Sequence, residues 1–172
     1  MSPLEHLWAG WRNDYIATTT AGAAGRCVFC AILASGEDDT TTHVVWRHQD
    51  GTVVALLNAY PYAAGHLMVM PSRHVADLED LARDETAALW AGVVAGVRAL
   101  RDAYRPGGLN VGANLGHAAG AGIPGHLHVH VVPRWAGDTN FMTSVAATRV
   151  LPEALEVTDA KVRAAWPELN PG

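Results

Sequence analysis

Three histidines, His126, His128 and His130, fall within five residues, and a segment holding Gly116, Gly120, Gly122 and Gly125 leads directly into them. In a strand over residues 126–132 the three imidazoles project from one face, while Leu127, Val129 and Val131 project from the other into a core. Three imidazoles on one face are a poor packing solution, because each needs hydrogen-bond partners once buried. Same-face neighbours on a strand stand about 7 Å apart and the outer pair about 13 Å. Metal–nitrogen bonds are only about 2 Å, which disfavours one ion held by all three, although two adjacent histidines could share one. Nucleophilic attack on phosphorus fits better. A neutral imidazole with one N–H held and the other nitrogen free is a good nucleophile, and the phosphoramidate it forms is readily broken by a second acceptor. The central His128 suits that role, and the glycine-rich segment can aim backbone N–H groups at phosphate oxygens.

The other chemistry-bearing pair is Cys27 and Cys30, the two cysteines of the chain. Two cysteines do not make a disulfide framework. A redox pair, half of a zinc site and two buried thiols all remain open from the spacing alone.

A chain of 172 residues, 49% hydrophobic, is long enough for one domain with a sizeable core. The net charge of −5 and the lack of a Lys/Arg tract argue against a nucleic-acid polymer as partner, which needs many phosphate-neutralising cations. A small phosphorylated ligand needs only a few local donors. No apolar run suits a bilayer span and residues 1–15 do not read as a signal peptide, so a cytoplasmic protein without a membrane partner is expected.

The elements that position these groups follow from patterning. Leu4, Leu7, Trp8 and Trp11 predict a short amphipathic helix over residues 4–16, and residues 17–25 read as a flexible link. One helical turn is expected at 29–34, followed by an acidic, Thr-rich loop at 36–42. Strands are expected at 43–48 and 52–57, joined by an Asp-Gly turn, then at 66–70, 109–115 and 126–132. Residues 84–104 read as the long helix, with Asp84 as its cap and Leu89, Val93, Val97 and Leu100 on its apolar face. The class is α+β, with a mainly antiparallel five-stranded sheet, one long helix and a short N-terminal helix. The division is residues 1–26 as N-terminal helix and linker, 27–142 as the main domain, and 143–172 as a helical C-terminal extension packed on the domain or a dimer partner.

The string HLHVHVV at 126–132 resembles the signature of the histidine triad (HIT) family of nucleotide hydrolases and transferases. LWAGWRNDYI at 7–16, CVFC at 27–30, LNAYPYAAGH at 57–66, MPSRH at 70–74, GLNVGANLG at 108–116 and PRWAGDTNFM at 133–142 extend the likeness over nearly the whole chain. The chain looks closest to the bacterial branch of diadenosine tetraphosphate phosphorylases and HIT hydrolases. The resemblance implies the HIT fold, a homodimer, no organic cofactor, and an adenine nucleotide or dinucleoside polyphosphate as substrate with phosphate or water as acceptor. A nucleotide-binding regulatory module with little turnover is the alternative of another class. The resemblance further assigns His128 as the nucleotidylated residue, His130 as its helper, and His126 to the catalytic triad. It implies a structural zinc held by Cys27, Cys30, His74 and His126, with His43 as spare ligand. Substrate contacts are expected from Leu57, Asn58 (ribose), Asn114, Ala121, Gly122, Ile123, His128, His130 and Trp135 (over a base or at a dimer interface). Many relatives carry Gln, Ser or Thr where this chain has Gly122 and Ile123, so backbone N–H groups must meet the leaving group here. His117 is either an added phosphate contact or a solvated residue.

Overall fold

The computed structural model describes residues 27–138 and 153–168. The expected helix at 4–16 lies outside them. Five strands form one sheet in the order β1-β2-β3-β5-β4, every neighbouring pair antiparallel. They are β1 (Val44–Arg47), β2 (Val53–Leu57), β3 (Leu67–Pro71), β4 (Gly108–Ala113) and β5 (Val129–Arg134). Among the described residues four α-helices accompany them: α1 (Val28–Leu33), α2 (Asp39–Thr42), α3 (Arg83–Tyr104) and α4 (Leu155–Ala164). The α+β reading with one long helix holds, although α2 occupies part of the segment expected to be a loop.

The central strands β2 and β3 are buried along their length because both faces of the sheet are covered. On one face Val53, Ala55, Leu57, Leu67, Val69, Leu127, Val129 and Val131 pack against Leu89, Val93 and Leu100 of α3. On the other, Val54, Leu56, Met68 and Met70 pack against Phe29 of α1. The long helix lies tight on the sheet: a Cβ at Gly96 would stand 2.6 Å from Leu67 Cδ2, so a side chain there would force the fully buried Leu67 or the helix to shift. Gly65 is needed for two reasons, a φ of +77° and a Cβ position only 2.9 Å from Tyr104.

Two boundaries differ from expectation for identifiable reasons. Ala82, not Asp84, caps α3, and Asp84 lies within its first turn; Glu85 reaches back to the Ala82 N–H at 2.8 Å and pairs with Arg73. The last strand starts at Val129 rather than His126 and runs through Pro133 to Arg134. The β3–β5 register, Val69 opposite Val129 and Leu67 opposite Val131, would next bring Pro71 opposite Leu127. Proline has no N–H to give the ladder. Leu127 donates instead to Val75 O at 2.6 Å, and Pro71 O is taken by the His126 ring at 2.8 Å.

The helix α4 docks on the domain through the fully buried Val162 and through polar groups. Arg163 binds Asp159 at 2.6 Å and the carbonyls of Asp39 and Val44 at 2.7 Å each, while Trp166 stacks on Trp46 with centroids 5.5 Å apart. Among the described residues, no helix is long and apolar enough to cross a membrane.

Candidate functional site

The alternation of side chains survives upstream of β5 even though the ladder does not. Leu127 belongs to the α3-side core, whereas His126 and His128 both meet Phe29 on the opposite face. His128 and His130 lie side by side, their ring centroids 4.8 Å apart and their planes at 81°. All three triad residues therefore share one face, but they are differently bound.

His128 is 6% exposed and its Nδ1 lies 2.7 Å from the carbonyl oxygen of His126. A carbonyl can only accept, so Nδ1 carries the proton and Nε2 keeps its lone pair. Burial lowers the pKa of His128 below the ordinary imidazole value, against the opposing effect of that hydrogen bond. A neutral imidazole with a held N–H is the nucleophile's ground state.

His130 is set by a residue that the sequence reading did not single out, His66. The Tyr62 N–H donates to His66 Nδ1 at 3.0 Å, so the His66 proton sits on Nε2. That nitrogen is 2.9 Å from His130 Nδ1, which must accept, leaving the His130 proton on Nε2. Asn58 reinforces the arrangement. Its amide nitrogen is 3.3 Å from His66 Nδ1, and its Oδ1 accepts the Tyr60 N–H at 2.9 Å. The Asn58 side chain is thus engaged in a turn and against His66. The clue in the sequence was the Asn58–His66 spacing across a Pro/Gly turn.

The remaining expected contacts separate into two groups. Extending the β4–β5 register, in which Ala113 faces Val129, places Asn114 opposite His128. The Asn114 side chain has no hydrogen-bond partner among the described residues, nor have the backbone N–H groups of Gly122, Ile123 and Gly125. These are donors of the kind an anionic ligand requires. The Ile123 side chain packs against the cluster containing Phe29 and Met68, so only its backbone is left for a ligand. Ala121 is 1% exposed and its N–H turns back to Gly116 O at 3.4 Å.

Two placements are corrections. Leu57 lies in the α3-side core at 2% exposure, so its side chain cannot meet a ligand on the histidine face. Trp135 follows the far end of β5, roughly 20 Å from His128 at strand rise, and packs edge-on against Tyr104 at 6.2 Å. It does not cover the site of its own chain. His117 opens a short 3-10 turn (His117–Ala119) and is exposed.

Beside the triad, Cys27, Cys30, His74 and His126 bring one ligand atom each within 4.8 Å of one another. His126 Nδ1 is 3.3 Å from Cys27 Sγ and 3.6 Å from Cys30 Sγ, and His74 Nδ1 is 3.4 Å from Cys30 Sγ. Tetrahedral zinc with bonds of roughly 2.0–2.3 Å separates its ligands by about 3.3–3.8 Å. The donor set fits. The His126 tautomer fits too, because Nε2–H goes to Pro71 O and leaves Nδ1 facing the thiols. Burial raises the Cys30 thiol, a shift that a bound cation would reverse. His43 is not a spare ligand. Its Nδ1 pairs with Asp159 at 3.2 Å, where it helps seat α4.

Residues 39–137 match the family described as HIT domain. The chain is 40% identical over 169 residues to a Mycobacterium tuberculosis protein named AP-4-A phosphorylase, covering 95% of this chain and 85% of that one. A Zn-bound histidine triad family protein from Mycobacterium smegmatis superposes with a TM-score of 0.63 at 30% identity, covering 83% of this chain and 94% of that one. A hypothetical histidine triad nucleotide-binding protein from Sulfolobus tokodaii gives 0.65 at 28% identity, covering 81% and 91%. With the triad, its flanking donors and these relatives in agreement, the chain belongs to the histidine triad (HIT) family.

Proposed function

We propose that this HIT-family enzyme is a nucleotidyl transferase that cleaves dinucleoside polyphosphates of the diadenosine tetraphosphate kind, with inorganic phosphate as acceptor. The observation that carries the reading is the 2.7 Å contact from His128 Nδ1 to the His126 carbonyl, which commits the other nitrogen to attack. His128 Nε2 forms a bond to the α-phosphorus as the bond to the departing ATP oxygen breaks, giving a His128–AMP phosphoramidate. A phosphate oxygen then attacks that phosphorus, the P–N bond breaks, and ADP leaves. His130, holding its proton on Nε2, donates to a phosphoryl oxygen, and the N–H groups of Gly122, Ile123 and Gly125 meet the developing charge. The name of the mycobacterial relative supports phosphate over water as acceptor.

Cys27, Cys30, His74 and His126 would hold zinc as a closed site with no ligand position left for substrate, so the metal would supply rigidity. A homodimer is supported by β4, a sheet edge unpaired among the described residues and carrying Val111 at 44% exposure, and by Trp90 and Val94 exposed one turn apart on α3. A nucleotide-binding module is the second reading, favoured by the lack of side-chain donors at Gly122 and Ile123.

Incubation with diadenosine tetraphosphate, with and without inorganic phosphate, separates the readings. ATP and ADP formed only with phosphate is the expected result. ATP and AMP regardless of phosphate would assign water as acceptor, and no turnover would replace the enzyme with the binding module.

A further inference from the structure

Among the described residues the reacting imidazole has one polar anchor, the 2.7 Å bond from His128 Nδ1 to the His126 carbonyl. With the covalent tether at Cβ this bond restricts the ring but leaves a coupled rocking of its two side-chain torsions. The direction of the Nε2 lone pair, on which in-line attack depends, is set by whatever flanks the ring. The described aromatic neighbours are His130, at 4.8 Å and 81°, and Phe29, whose ring lies 5.2 Å away at 62°.

Phe29 is unusual in its setting. It sits in the first turn of α1 between Cys27 and Cys30, and it is 4% exposed while its neighbour Val28 is 41% exposed. Its ring also meets the His126 ring edge-on, at 5.4 Å and 82°. The His126 Nδ1 faces both thiols. One aromatic ring thus touches a ligand of the candidate metal site and the reacting imidazole at once, and it is carried on the segment that the two cysteines would clamp.

We propose that Phe29 is a positioning residue for His128, and that closure of the two-cysteine segment around a metal holds the nucleophile's ring through it. Phe29 is 4% exposed and meets the His128 ring directly, so its effect on the reaction is carried through the imidazole. The proposal rests on His128 being the nucleophile, and it adds that the ring's orientation is borrowed from the metal-binding segment.

The test pairs Phe29→Leu, which keeps bulk but removes the ring, with Phe29→Tyr, which keeps the ring. Both are made in the zinc-loaded full chain and assayed on diadenosine tetraphosphate with phosphate. Phe29→Leu should lower kcat roughly tenfold with KM within about twofold, the signature of misaligned attack, and Phe29→Tyr should retain most of kcat. Nitrogen-15 spectra of the His128 imidazole, assigned with His128→Ala, should show one Nδ1–H tautomer in the wild type and broadened, averaged signals in Phe29→Leu. Zinc removal by a chelator should broaden the same signals in the wild type, and zinc addition should restore them there but not in Phe29→Leu. A raised KM with unchanged kcat would make Phe29 a nucleotide contact and overturn the proposal. So would His128 spectra unaltered by both the substitution and chelation. If Phe29→Leu does not fold, Phe29→Met, a flexible filler of similar volume, is read by the same criteria. The spectra need no turnover, and activity persisting in His128→Ala would sink the nucleophile assignment separately.

Discussion

His66 Nε2 donates to His130 Nδ1 across 2.9 Å, and this contact decides which nitrogen of His130 carries its proton. His66 is 1% exposed and is itself oriented by the Tyr62 N–H and the Asn58 amide. The chain of donors runs from the turn after β2 to the triad, so the turn helps to orient His130.

Replacing His66 by alanine should therefore act on the chemical step. The loss leaves His130 Nδ1 without this donor and lets its proton move to the wrong nitrogen. The expected result is a fall in kcat of about tenfold or more, of the size lost with a general acid–base partner. Stability should drop by about 1–2 kcal/mol, because His66 is itself buried and its hydrogen bonds to the Tyr62 N–H and to His130 are lost. His66→Gln, whose amide can still donate, should recover part of the rate. Steady-state kinetics with denaturant unfolding separates the two effects, and an unchanged kcat in a folded His66→Ala protein would remove the relay.

The pH dependence follows from burial. Burial lowers His128 and His126 below the ordinary value of 6.5. The unfolded chain therefore takes up protons at these positions before the native state does as pH falls. In metal-free protein the contribution of these two histidines to stability should be flat above about 6.5 and decline as pH drops from there through the lower native pKa values. The acid limb of kcat/KM should likewise lie below 6.5, because His128 stays neutral there. Urea midpoints and rate profiles across the acid range check both; an acid limb above 6.5 would contradict the buried neutral nucleophile.

The triad face was legible because strand alternation is a two-residue rule, and Leu127, Val129 and Val131 obeyed it on the core side. Where the ladder stops was not legible, because it depends on Pro71 of another strand arriving opposite Leu127. Leu57 was misplaced for a related reason: it belongs to the helix-facing set of β2 with Val53 and Ala55, and resemblance to a motif does not say which way a side chain points. The four expected metal-holding positions do come together, because Cys27, Cys30, His74 and His126 are tied by a shared donor chemistry. His66 was missed because a lone histidine entering an apolar strand reads as core, and only the fold brings it to His130.

The start of α3 offers a gain in stability. Glu85 already supplies one half of a capping box by accepting the Ala82 N–H, but alanine at the cap has no oxygen to return the bond. Ala82→Ser supplies it. The expected change is a stabilisation of about 0.5–1 kcal/mol, read as a raised denaturation midpoint with kcat unaffected, since α3 lies on the sheet face opposite the triad. No change would mean that the Glu85–Arg73 pair alone suffices to hold that turn.

The metal cluster and the His43–Asp159 pair make opposite predictions for two histidines, both considered as ligands. His74 Nδ1 is 3.4 Å from Cys30 Sγ, whereas His43 Nδ1 is 3.2 Å from Asp159 and sits at the end of α2 with a φ of 54°. His74→Ala and Cys27→Ser should each lower bound zinc and the thermal midpoint, because a structural zinc contributes its binding energy to folding. His43→Ala should leave zinc at wild-type stoichiometry and loosen only the docking of α4, where Asp159 keeps Arg163 as its partner. Elemental analysis of the three purified variants reads the first effect, and protease susceptibility of residues 153–168 the second. Zinc lost from His43→Ala but retained in His74→Ala would reverse the assignment of the fourth ligand.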